Sequence, residues 1–395
     1  MDFKKSLNSK FSNKFDIIHF ILVIVVIISI FSMAKVSTYI RKNVVQVDYY
    51  QQDFEEAVVV EVVEENLVKD EIIENFSSGT QKLIVKILSG KYKGNIYSTT
   101  NIIDVDHTVR AKENLKIIVG IREINGEPKV WVYNNKRNNY LYLLVFIFIA
   151  LLIIFGRKKG VDTVVSLLFT ISLLIFILVP LIFKGYNAII LSTITAIIGL
   201  LISFLLIGGF DKKTLIATLG SICGIIVSGI IASIFARITN ITVINLDKGN
   251  LLAYVAIDYK IKIKGIMYAS ILIASMGAIM DVAMSISTSM NEIYILNPKI
   301  KLSALITSGF NIGRDIMGTM SNTLILAFIG GSFSLVLLLW GYNMSFTQIS
   351  NLPFIAVEVV QGISGSIGIV LTVPFTVLIS ASFLASKNKK KINRK

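Results

Sequence analysis

The stretch IMYASILIASMGAIMDVAMSIS, residues 266–287, decides the fold. As a helix it is long enough to cross about 30 Å of hydrocarbon at about 1.5 Å per residue. Its single charged residue is Asp281. An Asp at the centre of a membrane helix costs about 2.5 to 3.5 kcal/mol on insertion, so this carboxyl is paired, protonated or turned toward water. A second charged pair, Arg314-Asp315, follows inside FNIGRDIMGTMSNT, residues 310–323. The two stretches predict a membrane protein with a polar interior.

The rest of the chain agrees with a polytopic membrane class. Its 395 residues are 54% hydrophobic and 16% charged, with mean hydropathy +0.73, which soluble domains do not reach. The formal charge of +14 is no nucleic-acid footprint, because Lys and Arg gather at the termini and in short loops. Lone Cys223 leaves no disulfide framework and no thiolate metal site. His19 opens the first apolar segment and His107 lies in a polar insert, so neither is expected to serve in the bundle. No P-loop is present, and neither cofactor nor metal is expected.

Hydropathy predicts about eight spans, at 17–34, 140–155, 161–183, 187–207, 214–236, 266–287, 316–340 and 359–385. The basic residues orient them. Lys4, Lys5, Lys10 and Lys14 hold the N-terminus inside. Arg157, Lys158 and Lys159, then Lys212 and Lys213, mark inner loops, and Lys387, Lys389, Lys390, Lys391, Arg394 and Lys395 hold the C-terminus inside. The expected parts are a cytoplasmic N-terminus with first anchor (1–34), an extracytoplasmic β-rich domain (35–139), a helical bundle (140–386) and a basic tail (387–395). Ser32-Met33-Ala34 resembles a signal-peptidase site, but the apolar run before it suits a retained anchor. The loop at 237–264 fits badly, because it would lie outside yet carries Lys248, Lys260, Lys262 and Lys264; an amphipathic or re-entrant segment is expected there.

The insert alternates apolar and polar residues at 58–63, 83–88, 115–119 and 130–133, with turn chemistry at Ser89-Gly90, Lys93-Gly94 and Asn125-Gly126-Glu127-Pro128. A small β-barrel or sandwich of OB-like type follows. Its acidic residues Glu55, Glu56, Glu61, Glu64, Glu65, Asp70, Glu71 and Glu74 suit a solvated face better than a cation site.

Helical spacing collects the interior polar residues into three stripes. Asp281, Ser285, Thr288 and Glu292 form one, and Asn311, Asp315, Gly318 and Asn322 form the next, with Arg314 and Ser321 beside it. Glu358, Gln361, Gly365 and Thr372 form the third. Asp281 and Asp315 are expected in the cytoplasmic half, with a break in the helix near Gly309, Gly313 and Gly318 exposing backbone groups of the kind transporters use. Gly220, Gly224, Ser228 and Ala232 read as a helix-packing face, and Met276, Met280, Met284, Met317 and Met320 as gap fillers.

These residues also carry a resemblance. GAIMDVAMSISTSMNEI (277–293), SGFNIGRDIMGTMSNTLILAFIGGS (308–332) and SGSIGIVLTVPFT (364–376) resemble the signature stretches of the YibE/F family of bacterial membrane proteins. QKLIVKILSGKYKGNIYSTTN (81–101) resembles that family's extracytoplasmic domain, and Glu113-Asn114 stands where the family commonly has a Gly-Asp turn. The resemblance implies a multispanning envelope protein of the permease kind with no settled activity.

The function expected from the stripes is a secondary transporter or permease of the bacterial cytoplasmic membrane, handling an unknown small solute or ion. Asp281, Ser285, Asn311, Arg314, Asp315, Asn322 and Glu358 are its candidate site, with Arg314 as charge partner of Asp281. The alternative is a structural or assembly protein of the cell envelope whose outer domain binds a partner and whose ion pairs only lock the bundle. The expected partners are membrane lipids, an unknown small solute or ion, and a second copy of the chain or an envelope protein, but not nucleic acid. An Asp281/Asp315 protease dyad is disfavoured, because Arg314 opposes the raised pKa that it needs and the GxGD context is absent.

Overall fold

The computed structural model describes residues 2–44, 53–70, 76–105, 107–124, 126–246, 248–259, 261–262 and 265–392, with the side chains of 2–17, 258 and 385–392 excepted. Glu71, Glu74, Asn125, Lys260, Lys264, Arg394 and Lys395 lie outside the described residues. The chain is mostly helical and forms two compact units, Gln46–Leu151 and Met1–Val45 with Leu152–Lys395.

In the first unit, β1 (Asp53–Lys69), β2 (Ser77–Ile87), β3 (Ile96–Ile103), β4 (Lys116–Ile124) and β5 (Glu127–Asn135) form one antiparallel sheet in the order β3-β2-β1-β4-β5. Alternation aims Ala57, Val59, Leu83, Val85, Ile87, Ile117, Val119 and Ile121 into one core. Thr99 Oγ1 of β3 donates to the Val130 carbonyl of β5 (2.7 Å), so the two edge strands meet and the sheet curls. Asn114 takes the left-handed conformation (φ 65°), which Asn tolerates in a turn.

The apolar alternation predicts four of these strands and misses β3. Of its three buried residues, Thr99, Asn101 and Ile103, only the last is apolar. Asn101 Nδ2 donates to Gln81 Oε1 (3.0 Å) and to the Val109 carbonyl (2.6 Å), while Gln81 Oε1 accepts from the Ala111 N–H (2.8 Å). A satisfied polar network replaces aliphatic packing there, which hides the strand from a hydropathy pattern.

The second unit begins with α1 (Asp2–Val44), which runs unbroken through Ser32-Met33-Ala34. Val26 of α1 is buried with Val165, Phe169, Leu173 and Leu206. Next, α2 (Asn138–Leu173) joins two helical stretches across Arg157, whose backbone is non-helical (φ 49°, ψ −128°). Gly160 follows because a Cβ there would stand 2.0 Å from the Leu152 carbonyl oxygen. A π turn at Leu174–Leu178 leads to α3 (Val179–Phe183), and α4 (Ala188–Gly208) starts where Asn187 accepts from the Ile189 N–H.

The centre is built from α5 (Lys212–Ile238), α7 (Ile266–Leu296) and α11 (Pro353–Ile392), flanked by α4 and by α8 (Leu302–Gly331). Helices α5 and α11 approach closely because α5 offers small residues. A Cβ would stand 2.1 Å from Thr376 Oγ1 at Gly220 and 1.9 Å from Thr372 Oγ1 at Gly224. Ser228 Oγ completes the contact by donating to the Ser364 carbonyl (3.0 Å). The awkward loop contains the short helix α6 (Gly249–Tyr259), which exposes Leu251, Tyr254 and Ile257. After α8 come α9 (Phe333–Gly341) and the short α10 (Phe346–Ser350).

Among the described residues, six helices are long and apolar enough to cross a membrane, or seven if α8 and α9 make one bent span. The break expected at 309–318 is absent. Helix α8 is continuous through Gly309, Gly313 and Gly318, and the bend of 61° falls instead at Ser332, between α8 and α9. Two of the glycines serve contact rather than rupture. A Cβ on Gly309 would meet Met290 Sδ at 2.6 Å, and one on Gly313 would meet Val373 Cγ1 at 2.3 Å and Ile286 Cδ1 at 3.4 Å. Packing on α7 and α11 outweighs the weak helix propensity of glycine, which costs only about 1 kcal/mol each.

Candidate functional site

Each predicted stripe does lie along one helix face, but the three faces do not converge. On α7, Asp281, Ser285 and Glu292 are exposed and Thr288 is half-buried. On α8, Asn311, Arg314, Asp315, Gly318 and Asn322 are all exposed, while the inward Ser321 hydroxyl has no hydrogen-bond partner among the described residues. The α11 stripe is internal: Glu358 is half-buried, Gln361 Nε2 donates to Ser270 Oγ of α7 (3.1 Å), Gly365 is buried against Leu324, and Thr372 Oγ1 donates to the Gly368 carbonyl (2.7 Å).

Helix geometry explains why Asp281 and Arg314 do not meet. Ile286 and Met290 mark the side of α7 that touches α8. At about 100° per residue, Asp281 stands about 140° and 180° around the helix from them. On α8, Gly309 and Gly313 mark the side that touches α7. Asn311 lies about 160° from both, and Asp315 lies about 160° from Gly313. The polar faces of the two helices therefore point away from each other.

Arg314 Nη1 donates instead to Asn311 Oδ1 (3.1 Å), on its own helix. Among the described residues no cation stands within ion-pair distance of Asp281. The expected Asp281–Arg314 pair is thus replaced by two separate features. By the same geometry Asp281 and Asp315 lie on the sides of α7 and α8 turned away from the contact between these helices.

One ion-pair partner was misplaced by sequence reasoning. Asp162 of α2 is 6% exposed, and its Oδ1 lies 2.9 Å from His19 Nε2 of α1. His19 therefore does reach the bundle, contrary to expectation. The signal was available, since Asp162 is an acid near the start of the apolar span expected at 161–183, one turn after Arg157, Lys158 and Lys159.

The bundle also holds hydroxyls that no periodicity argument ranks. Thr214 and Ser221 of α5 and Thr376 and Ser380 of α11 are buried, and among the described residues their hydroxyl oxygens have no hydrogen-bond partner. Buried hydroxyls in native proteins are nearly always satisfied, by protein or by ordered water, so these mark positions that call for polar company. Their helices are the pair joined by Gly220 and Gly224.

A cavity of about 720 Å³ opens at the other end of α7, lined among others by Arg237, Asn240, Thr242, Gly265, Met267 and Tyr268. Tyr268 Oη is 3.0 Å from Thr193 Oγ1 of α4. No predicted site residue lines this cavity, and Met267 lies about 21 Å along α7 from Asp281. Among the described residues no group of His, Cys, Asp and Glu is placed to hold a metal ion.

No curated protein and no solved structure matches the chain. A family model does: the one described as YibE/F-like protein matches residues 144–386, which takes in the helical bundle from the first half of α2 almost to the end of α11. With its long apolar helices and that match over more than half of its length, this membrane protein belongs to the YibE/F family.

Proposed function

We propose that the protein is a secondary transporter or permease of the bacterial cytoplasmic membrane, with Asp281 as its ion or proton site and Ser285 beside it. The observation that carries this is that the buried hydroxyls of Thr214, Ser221, Thr376 and Ser380, on the central helix pair, have no hydrogen-bond partner among the described residues. A bundle that serves only as an anchor gains nothing from them, whereas a path for water or a small polar solute uses such groups as transient partners. The cavity at the head of α7 supplies a mouth, and Asp281 stands farther along the same helix.

The topology belonging to this reading has eight spans with both termini inside. It counts α2 as two crossings, supported by the break at Arg157 in a stretch whose 46 residues, Asn138–Phe183, would be about 69 Å long as one straight helix. Lys158 and Lys159 follow that break, as the positive-inside rule asks of an inner turn. The OB-like reading of the outer domain is supported by its five-stranded order and by the Thr99–Val130 bond that joins its edges.

The test is flux in proteoliposomes containing a pH-sensitive dye, with imposed gradients of a panel of small anions, cations and zwitterions. Wild type is expected to move protons with at least one solute, and D281N to lose that coupling while eluting as a folded species. Unaltered coupled flux by D281N removes Asp281 from the mechanism.

A second reading, an envelope assembly protein, is favoured by one observation on the sheet. Phe54, Trp131 and Tyr133 form an edge-on aromatic group, with Phe54 centred 4.7 Å from Tyr133 and 6.4 Å from Trp131, and Phe54 and Tyr133 are exposed. Gly120 makes room for it, because a Cβ there would stand 2.2 Å from Trp131 Cζ2. Exposed aromatic groups of this kind serve as interface anchors. If no solute is moved and F54A abolishes recovery of an envelope protein cross-linked to the intact chain in its own membrane, this second reading replaces the first.

A further inference from the structure

Helix α8 poses a problem that the proposed transport does not solve. Its inner side is fixed by Gly309 and Gly313 against α7 and α11. Its outer side exposes Thr307, Asn311, Arg314, Asp315, Gly318 and Asn322. Together with α9 this helix meets the length and apolarity of a membrane span, so a face of this kind cannot be left to lipid.

We propose that a second copy of this chain covers the face, in a two-fold dimer whose axis runs along α8. Charge order is the reason for choosing a second copy over any other occupant. Arg314 and Asp315 differ by one residue, hence by about 100° around the helix and only about 1.5 Å along it. They stand at the two flanks of the face. Asn311 and Gly318, seven residues apart and so nearly in line, occupy its middle, and Asn322 follows one turn later.

Two copies inserted with the same topology meet with α8 helices parallel. A two-fold axis between them turns the Arg flank of each copy onto the Asp flank of the other at the same depth. Two ion pairs form, Arg314 of each copy with Asp315 of the other. Asn311 and Asn322 meet their own counterparts, where amide side chains donate and accept reciprocally. Gly318, where an added Cβ would meet nothing within 4 Å, lets the two backbones approach. An adjacent pair of opposite charges on one face is thereby self-complementary, which a solvated or lipid-capped face has no need to be. The dimer rests on this geometry alone and does not require the transport reading.

The experiment uses the full chain in its native membrane, with the sole cysteine removed by C223S. Oxidation of G318C is expected to give a covalent dimer. Oxidation of I230C, on the exposed apolar side of α5, is expected to give none. In the G318C background R314D makes the face doubly acidic and D315R makes it doubly basic, and each is expected to lower the cross-linked fraction about tenfold or more. Co-expressed with different tags, R314D and D315R are expected to regain cross-linking with each other alone. Mispairing from misfolding is recognised by size-exclusion in detergent, where each single variant should run as a homogeneous monomer.

No disulfide at G318C overturns the proposal, leaving the face to water, lipid or another protein. Undiminished dimer in both single variants overturns it too, and so does failure of the co-expressed pair to cross-link. Loss of dimer with flux intact separates this inference from the transport reading.

Discussion

His19 and Asp162 offer a measurable test of how the first helix is held. Asp162 Oδ1 lies 2.9 Å from His19 Nε2, with side chains 8% and 17% exposed, and among the described residues the carboxyl has no other partner. Val26 of α1 and Val165 and Phe169 of α2 form an apolar cluster between the same two helices. A hydrogen bond to a charged group is worth about 1.5 to 3 kcal/mol in soluble proteins. Polar pairs inside membranes average only about 0.6 kcal/mol and reach about 1.7 kcal/mol, because the unfolded chain in the bilayer also finds partners. Burial this deep puts the pair at the upper end, so we expect a coupling of about 1.5 kcal/mol, near a tenfold change in equilibrium constant. H19A should cost more than D162A, because it strands a buried acid whereas D162A strands a less buried imidazole. The assay is reversible unfolding of the full chain in mixed detergent and SDS for wild type, H19A, D162A and the double variant. A double variant whose loss equals the sum of the two singles within about 0.3 kcal/mol refutes the pair as a stabilising contact.

Three further outcomes follow from particular contacts. G224A, whose Cβ would stand 1.9 Å from Thr372 Oγ1, should lower stability by about 1 to 3 kcal/mol, and T372A added to it should recover most of that in the same SDS titration. In the β-sheet unit, the Arg110 hydrogen bond and then that of Gln81 hold the Glu65 carboxyl below its ordinary value of 4.5, and Lys91 with Tyr92 does the same for Glu123. Both folded values are depressed, so their stabilisation is complete above that ordinary value and is lost as pH falls through the lower folded ones; amide exchange of β1 and β2 in the full chain should accelerate only there, and less steeply in E65Q. Because Asp281 and Arg314 occupy opposed faces, D281R combined with R314D should be no more stable than the worse single variant; rescue by the double reversal, measured as yield of folded protein, would show the two side chains to be partners.

Much of the fold is legible in the residues because membranes and sheets impose simple periods. Apolar runs long enough to cross hydrocarbon give the helices, and strict alternation gives four strands. What escapes has a physical cause in each case. Strand β3 turns Thr99 and Asn101 inward to a polar network, so its core face looks like a loop. The glycines of α8 suggest a break when read as weak helix formers, yet Gly309 and Gly313 are contact residues whose missing side chains admit Met290 and Val373. His19 is set aside as a segment boundary, although α1 runs on through it and brings its ring to Asp162 of α2.

The candidate site shows the same limit more sharply. Spacing of three and four residues correctly groups Asp281 with Ser285 and Asn311 with Arg314, because that grouping concerns one helix at a time. Pairing Asp281 with Arg314 needs the rotation of one helix against another, and charge does not set that rotation. The close contacts set it: Ile286 and Met290 on α7 meet Gly313 and Gly309 on α8, where small meets large over a continuous apolar seam. Once that seam faces inward, the charged residues on the far sides must face outward, whatever their signs. An acid and a base on neighbouring membrane helices are therefore weak evidence for each other. They are stronger evidence for a polar environment on each face separately, at Asp281 on α7 and at Arg314 and Asp315 on α8.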